Sequence, residues 1–359
     1  MELTAENNDI ERCTPLSKRP APKRVIVRHC GNAHPHLTHY FMRKHGFADL
    51  CRLPFDSGLK SKAAHLRDLA GDLLYVVRHL RQIRDAREII AMGPMAVNIA
   101  FLLRLGVLPS CQRMYWFGLF VHDPRWLRIL RYPFRILDSK NIRYVLFSEF
   151  EKSLYKQWLS LSENRMYYVP YGDLSDKVAA QGTSVVHAKG IEEGDFFFSG
   201  GYSNRDYTSL IETFRGLPYK LIIVCSKLNT EIDESVVPPH IKIIRDVPSE
   251  AFDVYVKAAR ACIIPIAHDT GAAGQSSLLR YMKNGKIIIA TDTGIVREYI
   301  TNGVSGILVG DNRGAMAKAV REVASNGVAY KIYADAARER FVNVFSGEAI
   351  SRKLDEMMK

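Results

Sequence analysis

From Arg24 onward, short runs of β-branched and aromatic residues alternate with stretches whose apolar residues recur at helical spacing. That alternation restricts the chain to parallel sheets covered by helices, because each strand must be carried back to the same edge by a crossover. Two such series are present. The first has strand-like runs at Arg24–Arg28, Glu88–Ala91, Arg113–Trp116, Tyr144–Phe147 and Met166–Val169, with a helical pattern over Ser61–Arg84. The second has them at Phe196–Phe198, Tyr219–Cys225, Ile241–Ile244, Ala261–Pro265, Lys286–Ala290 and Gly306–Val309. Small and polar residues over Asp173–Gly190 separate the series, and 359 residues exceed what one core usually organises. The pattern predicts an α/β protein of two doubly wound domains. The expected parts are a polar, disordered tail over residues 1–22, domains over 23–185 and 186–345, and a helix over 346–359 that packs back across the first domain.

Charge distinguishes the two halves. Residues 1–190 hold 29 Lys and Arg against 17 Asp and Glu, whereas residues 191–359 hold 21 of each, so the whole net charge of +12 lies in the first half. A basic domain beside a neutral one suits an anionic partner such as a membrane surface or a lipid phosphate, or serves solubility alone. A nucleic acid is not the expected partner, for no recognition helix or aromatic platform stands out. A nicotinamide enzyme is a weaker reading still, since no GxGxxG follows the first strand. Six scattered cysteines with no CxxC read as reduced core residues. With a polar start and no run near the ~18 apolar residues of a span, the expected location is cytoplasmic, or peripheral on the inner face of the membrane.

Ligands of doubly wound sheets sit beyond the carboxyl ends of the strands, so the loops after Phe198, Cys225, Pro265 and Ala290 are where chemistry is expected. In one of them Asp269 and the Gly274-Gln275-Ser276-Ser277 run precede a helix carrying Leu278, Leu279, Arg280 and Met282, and Gly285 closes that helix. Ser276 or Ser277 is the expected cap. Small residues before a helix N-terminus let backbone N–H groups reach an anion such as phosphate, although any βα turn can look similar. After the Phe196–Phe198 strand come Gly200, Gly201 and Arg205, a close-approach loop followed by a cation.

The run Met282–Val309, with its Met-x-x-Gly-Lys turn, the Gly294–Glu298 turn and the Gly-Ile-Leu-Val strand, resembles the C-terminal signature of the family-4 (group 1) glycosyltransferases. Phe198–Phe214 is similar to that family's first C-domain strand, Gly-rich loop and helix. The resemblance implies the GT-B architecture, two Rossmann-like domains facing across a cleft with the donor site in the C-terminal one. It implies transfer of a sugar from a UDP- or GDP-sugar to a hydroxyl acceptor, with retention, no metal, and no cofactor beyond the donor substrate. Arg205 falls where the family carries a cation for the donor diphosphate. The family's paired glutamates would fall on Ala272 and Arg280, so both usual acids are missing. Asp269 and Gln275 are candidate replacements, and Arg280 either meets phosphate or ribose or is an exposed helix residue. Glu298 is structural or donor-positioning. The missing acids keep open an epimerase or a non-catalytic nucleotide-sugar-binding protein on the same fold.

Lys227, just after a strand, is either a second cation for the departing diphosphate or a surface residue. In the first half, Gly31 and Asn32 follow the first strand and can present N–H groups to phosphate or acceptor. His122, after the Arg113–Trp116 strand, resembles the family's cleft histidine and titrates near neutrality, so it can accept a proton or bind a hydroxyl. Arg125, Arg128 and Arg131 recur every three residues among Trp126, Leu127, Leu130 and Phe134, which suits a membrane interface or an ordinary amphipathic helix. The expected acceptor is a lipid-linked or surface-polysaccharide intermediate.

Overall fold

The computed structural model describes residues 23–29, 35–52, 62–109, 112–119, 124–174, 194–227, 229–269, 274–310 and 313–359. The chain divides into two compact units. One comprises Met1–Leu119, Leu130–Val145 and Leu161–Tyr167, and the other Phe120–Ile129, Leu146–Ser160 and Tyr168–Lys359.

The first half of the chain builds a six-stranded sheet from β1 (Arg24–His29), β2 (Ala48–Arg52), β3 (Glu88–Met92), β4 (Arg113–Phe117), β5 (Ile142–Leu146) and β6 (Met166–Tyr168), in the order β2-β1-β3-β4-β5-β6. The helices along it are α1 (Pro35–His45), α2 (Lys62–Arg78), α3 (Leu80–Asp85), α4 (Pro94–Arg104), α5 (Pro124–Leu137) and α6 (Glu149–Leu159). Val25, Ile26 and Val27 of β1 and Ile89, Ile90 and Ala91 of β3 are wholly buried. Burial on both faces explains why these strands read as continuous apolar runs. Strand β2 escapes that reading, since its sequence ADLCR carries two charges. Asp49 is accommodated by a bidentate pair with Arg28 of β1 (Nη2 to Oδ2 2.6 Å), and Arg52 by Asp72 of α2 (2.5 Å). The expected helix over Ser61–Arg84 is broken at His79, whose backbone leaves the helical region between α2 and α3.

In the second half, β7 (Phe196–Gly200), β8 (Lys220–Cys225), β9 (Ile241–Arg245), β10 (Ala261–Ile264), β11 (Ile287–Thr291) and β12 (Ile307–Val309) form a sheet in the order β12-β11-β10-β7-β8-β9. Its helices are α7 (Tyr207–Arg215), α8 (Ser249–Ala258), α9 (Gln275–Lys283), α10 (Gly294–Tyr299), α11 (Arg313–Arg340, bent at Asn326) and α12 (Gly347–Met358). Alternate residues of each strand fill two cores. Phe198, Ile264 and Ile288 face Leu278, Met282 and Val296 on one side. On the other, Phe197, Ile223 and Ile263 face Phe214 and Val320. Each such side chain contributes about 1.5–3 kcal/mol by leaving water.

Helix α12, expected to reach back to the first domain, falls in the second unit, where Ile350 abuts Gly172 and Lys353 lies 5.0 Å from the Tyr168 ring. The continuous part of the second unit starts at Tyr168, ahead of the expected linker. Asp173 is tied to it by a β-bridge to Ser346 and an ion pair with Lys283 (2.6 Å). Cys225 and Cys262 are free and buried as expected, but Cys51, at the end of edge strand β2, is disulfide-bonded. An edge strand leaves this residue only half-buried rather than enclosed in a core, which corrects the reading of every cysteine as reduced. No described helix is long and apolar enough to cross a membrane.

Candidate donor site at the ends of β7 and β10

Strand order reverses in the second sheet between β7 and β10, which are parallel neighbours although β8 and β9 separate them in sequence. At such a switch point the loops splay apart and leave a crevice beyond the strand ends. The loop after β7 carries Gly200, Gly201 and Arg205, and the loop after β10 leads into Gly274 and α9. Asn204 joins them: its amide donates to the His268 carbonyl (2.7 Å) and its Oδ1 accepts from the His268 N–H (3.1 Å). Asp206 then caps α7 by accepting from the Ser209 N–H (2.9 Å), which fixes where the preceding arginine points.

Arg205 is 8% exposed, and its guanidinium donates to the Ser203 carbonyl (2.7 Å) and the Ser277 hydroxyl (3.2 Å). Ser277 Oγ donates onward to the Gly200 carbonyl (2.8 Å), while the Gly200 N–H donates to the hydroxyl of fully buried Tyr281 (2.9 Å). Burial holds the Tyr281 phenol well above its ordinary range, so it stays protonated. Gly201 is required here: its φ is +140° and a Cβ would stand 2.3 Å from Arg205 Nη2. Two donors in this cluster, Arg205 Nε and Gln275 Nε2, are buried with no hydrogen-bond partner among the described residues.

The N-terminus of α9 lies in the same loop pair. Its cap is Gly274, at φ +89°, and no side chain caps the first turn. The expected serine cap is thereby corrected: the glycine's left-handed backbone starts the helix ahead of both serines, putting Ser276 and Ser277 inside it. Ser276 is exposed, and Ser277 turns in to Arg205. Uncapped N–H groups and the positive end of the helix dipole thus meet a buried guanidinium.

The other expected residues are placed apart from this group. Arg280 lies over the Phe252 ring (4.8 Å) and pairs with Asp253 (3.5 Å) and the Ser249 hydroxyl, all on α8. Lys227 extends into solvent, 3.8 Å from Asp246. Asp269 accepts from the Gly294 N–H (3.1 Å), tying the β10 loop to the start of α10. Glu298 Oε1 accepts from the Ser148 hydroxyl and the Phe150 N–H (both 2.7 Å) at the start of α6, and burial raises its carboxyl above the usual glutamate range. Gly31, Asn32 and His122 lie outside the described residues. Asn204, Tyr207 and Tyr281 are not singled out by the sequence. The Tyr207 hydroxyl donates to the Gly201 carbonyl (2.7 Å), so two tyrosines grip the glycine loop, a role that only their spacing behind the loops could signal.

Residues 195–326 match the family model described as Glycosyl transferases group 1. That stretch is similar to a group 1 glycosyltransferase domain. That domain contains every residue of the Arg205–Ser277–Tyr281 network. No curated protein matches significantly. Among solved structures, Anabaena HepE in complex with UDP superposes with a TM-score of 0.74 at 12% identity, over 93% of this chain and 99% of that one. Sucrose-phosphate synthase from Thermosynechococcus elongatus gives 0.67 at 12% identity, covering 93% and 98%. WaaG, a glycosyltransferase involved in lipopolysaccharide biosynthesis, gives 0.66 at 12% identity, covering 93% and 99%. The two parallel six-stranded sheets with their flanking helices are the GT-B fold of these neighbours.

Proposed function

We propose that the chain transfers a hexose from a UDP- or GDP-sugar to a hydroxyl of a lipid-linked or surface-polysaccharide acceptor, with retention and without a metal. The observation that carries this reading is the pair of buried, unpartnered donors, Arg205 Nε and Gln275 Nε2, beside the uncapped N-terminus of α9. A buried donor without an acceptor costs about 1–3 kcal/mol, a cost that a ligand oxygen removes. As the glycosidic bond breaks, negative charge accumulates on the departing diphosphate, and a fixed guanidinium with helix N–H groups stabilises it. HepE was solved with UDP and with UDP-glucose, which supports a nucleotide-sugar donor here. His122 is the proposed acceptor-side proton group, with Gly31 and Asn32 as further phosphate contacts.

Incubation with UDP- and GDP-hexoses, with and without EDTA, followed by detection of released nucleotide tests the reading. Retention is read from the anomeric configuration of the product. If no nucleotide sugar is turned over or stabilises the fold, the proposal fails. The missing glutamate pair supports a second reading, an epimerase or a nucleotide-sugar-binding protein. It predicts tight donor binding with no new glycosidic product.

A further inference from the structure

The loop after β7 is held along its backbone, yet it carries an aromatic ring left in water. Three consecutive carbonyls are taken: that of Gly201 by the Tyr207 hydroxyl (2.7 Å), that of Tyr202 by the Asn229 amide (3.1 Å) and that of Ser203 by the Arg205 guanidinium (2.7 Å). Asn229 is buried and also accepts from the Ser226 N–H (3.1 Å), so the loop after β8 braces the loop after β7 from one side. On the other side the loop after β10 runs antiparallel to it. Arg205 bridges Ile266, the Asp206 N–H donates to the Pro265 carbonyl (2.9 Å), and the Ala267 N–H donates to the Asn204 carbonyl (3.3 Å). The Asn204 side chain then closes on both backbone groups of His268, which brings His268 to the stretch that holds Tyr202.

Tyr202 is 52% exposed, and among the described residues its ring and hydroxyl meet no partner. The exposed imidazole of His268 meets none there either. A lone exposed tyrosine on a protein surface needs no explanation. This one is mounted on a backbone already fixed, three residues ahead of Arg205, so a ligand that covers it loses little chain entropy. A flat apolar face with a polar tip, beside an imidazole that can donate or accept, suits a ligand with C–H bonds on one face and hydroxyls around its rim. A pyranose ring has that form. A phosphate is better served by Arg205, which is always charged.

We infer that Tyr202 is a stacking platform for a pyranose ring, with His268 binding a hydroxyl of the same ring. That ring is either the hexose of the nucleotide sugar or a sugar of the acceptor, since both offer the same face to an aromatic. The inference rests on the proposed glycosyl transfer for the origin of the sugar, while the stacking itself needs no nucleotide.

Calorimetric titration of the full chain with UDP, GDP, UDP-glucose and GDP-mannose reads the first source. Saturation-transfer NMR with methyl glucopyranoside and methyl mannopyranoside, with and without UDP or GDP, reads the second. Tyr202→Ala should lower affinity in one of the two arms about tenfold and leave UDP and GDP affinity unchanged. Tyr202→Phe should keep most of the wild-type affinity, and His268→Ala should lose about threefold. Melting temperatures should not move, because both side chains are exposed. A loss confined to the sugar nucleotides assigns the donor hexose, and one confined to the free saccharides assigns the acceptor. Tyr202→Ala with wild-type values in both arms overturns the inference, as does an equal loss for UDP and UDP-glucose, or a folded wild type that binds sugar in neither arm. A wild type that binds saccharide through Tyr202 but no nucleotide upholds the platform and sinks the donor reading instead.

Discussion

The two sheets share strand number and parallel pairing but finish their strands differently. The first has the order β2-β1-β3-β4-β5-β6, reversing between β1 and β3, and the second reverses between β10 and β7. At the ends of β1 and β2, buried cations meet carboxylates within the protein: Arg28 pairs with Asp49 and Arg52 with Asp72, which the His29 ring also meets (2.6 Å). At the ends of β7 and β10, a buried arginine faces hydroxyls and carbonyls, with no carboxylate at hydrogen-bonding distance among the described residues. A cation already neutralised by its own chain stabilises the fold at best, whereas one left uncompensated can take up a ligand's charge. That difference is consistent with a structural role for the first set of strand ends and supports the proposed anion binding at the second.

The largest expected effect is that of Arg205→Ala, which should lower kcat/KM for nucleotide release by about 10²–10³. A loss below about tenfold would break the contrast. Next comes Asp72→Ala, which strands Arg52 and His29 and should cost about 3–5 kcal/mol in urea denaturation. If that variant keeps its stability but loses donor binding, the assignment reverses. Tyr281→Phe removes the acceptor of the buried Gly200 N–H and should cost about 1–3 kcal/mol, with a rise in donor KM as the glycine loop loosens.

A smaller effect concerns Glu298. Burial holds its folded-state carboxyl above the ordinary value of 4.5, so between that value and the raised one the folded chain binds more protons than the unfolded chain. Stability contributed by Glu298 is thus present below pH 4.5 and declines as pH rises through the folded-state value. The slope stays below about 1.4 kcal/mol per pH unit, the limit for one proton, and solvent screening of a half-buried group lowers it further. Glu298→Gln should remove this component from the difference between the two stability profiles. An unchanged profile would show that the α6 contact does not sense the charge.

Strand positions in the second half are legible in the sequence because burial on both faces leaves uninterrupted apolar runs such as Phe196–Phe198 and Ile287–Ile289. Strand β2 is not, since its charges are compatible with a sheet only through partners 21 and 20 residues away in Arg28 and Asp72. Arg205 and Ser277 are legible from the βα turns, but the helix cap is not, because a left-handed glycine takes the place assigned to a serine. In α5 the sequence places Leu127 and Phe134 beside the arginines at an interface. The fold buries both and exposes Ile129, Tyr132 and Ile136, a choice of face that depends on where the sheet lies. Arg280 illustrates the same limit: an aromatic ring and a carboxylate on α8 claim a side chain whose own helix leaves its direction open.

Lys227 gives the smallest expected effect and the sharpest test of the contrast between strand ends. Like Arg205 it follows a strand of the second sheet, yet its side chain is 80% exposed and its nearest carboxylate, Asp246, stands 3.8 Å away. An ammonium in water is already solvated and screened, so meeting a diphosphate gains little over meeting solvent, whereas the Arg205 guanidinium is held in place before any ligand arrives. Lys227→Ala should therefore raise donor KM less than about twofold and leave kcat alone. A tenfold rise would mean that the lysine swings from Asp246 onto the donor, and that a solvent-exposed cation, not burial, selects the residues that hold the diphosphate.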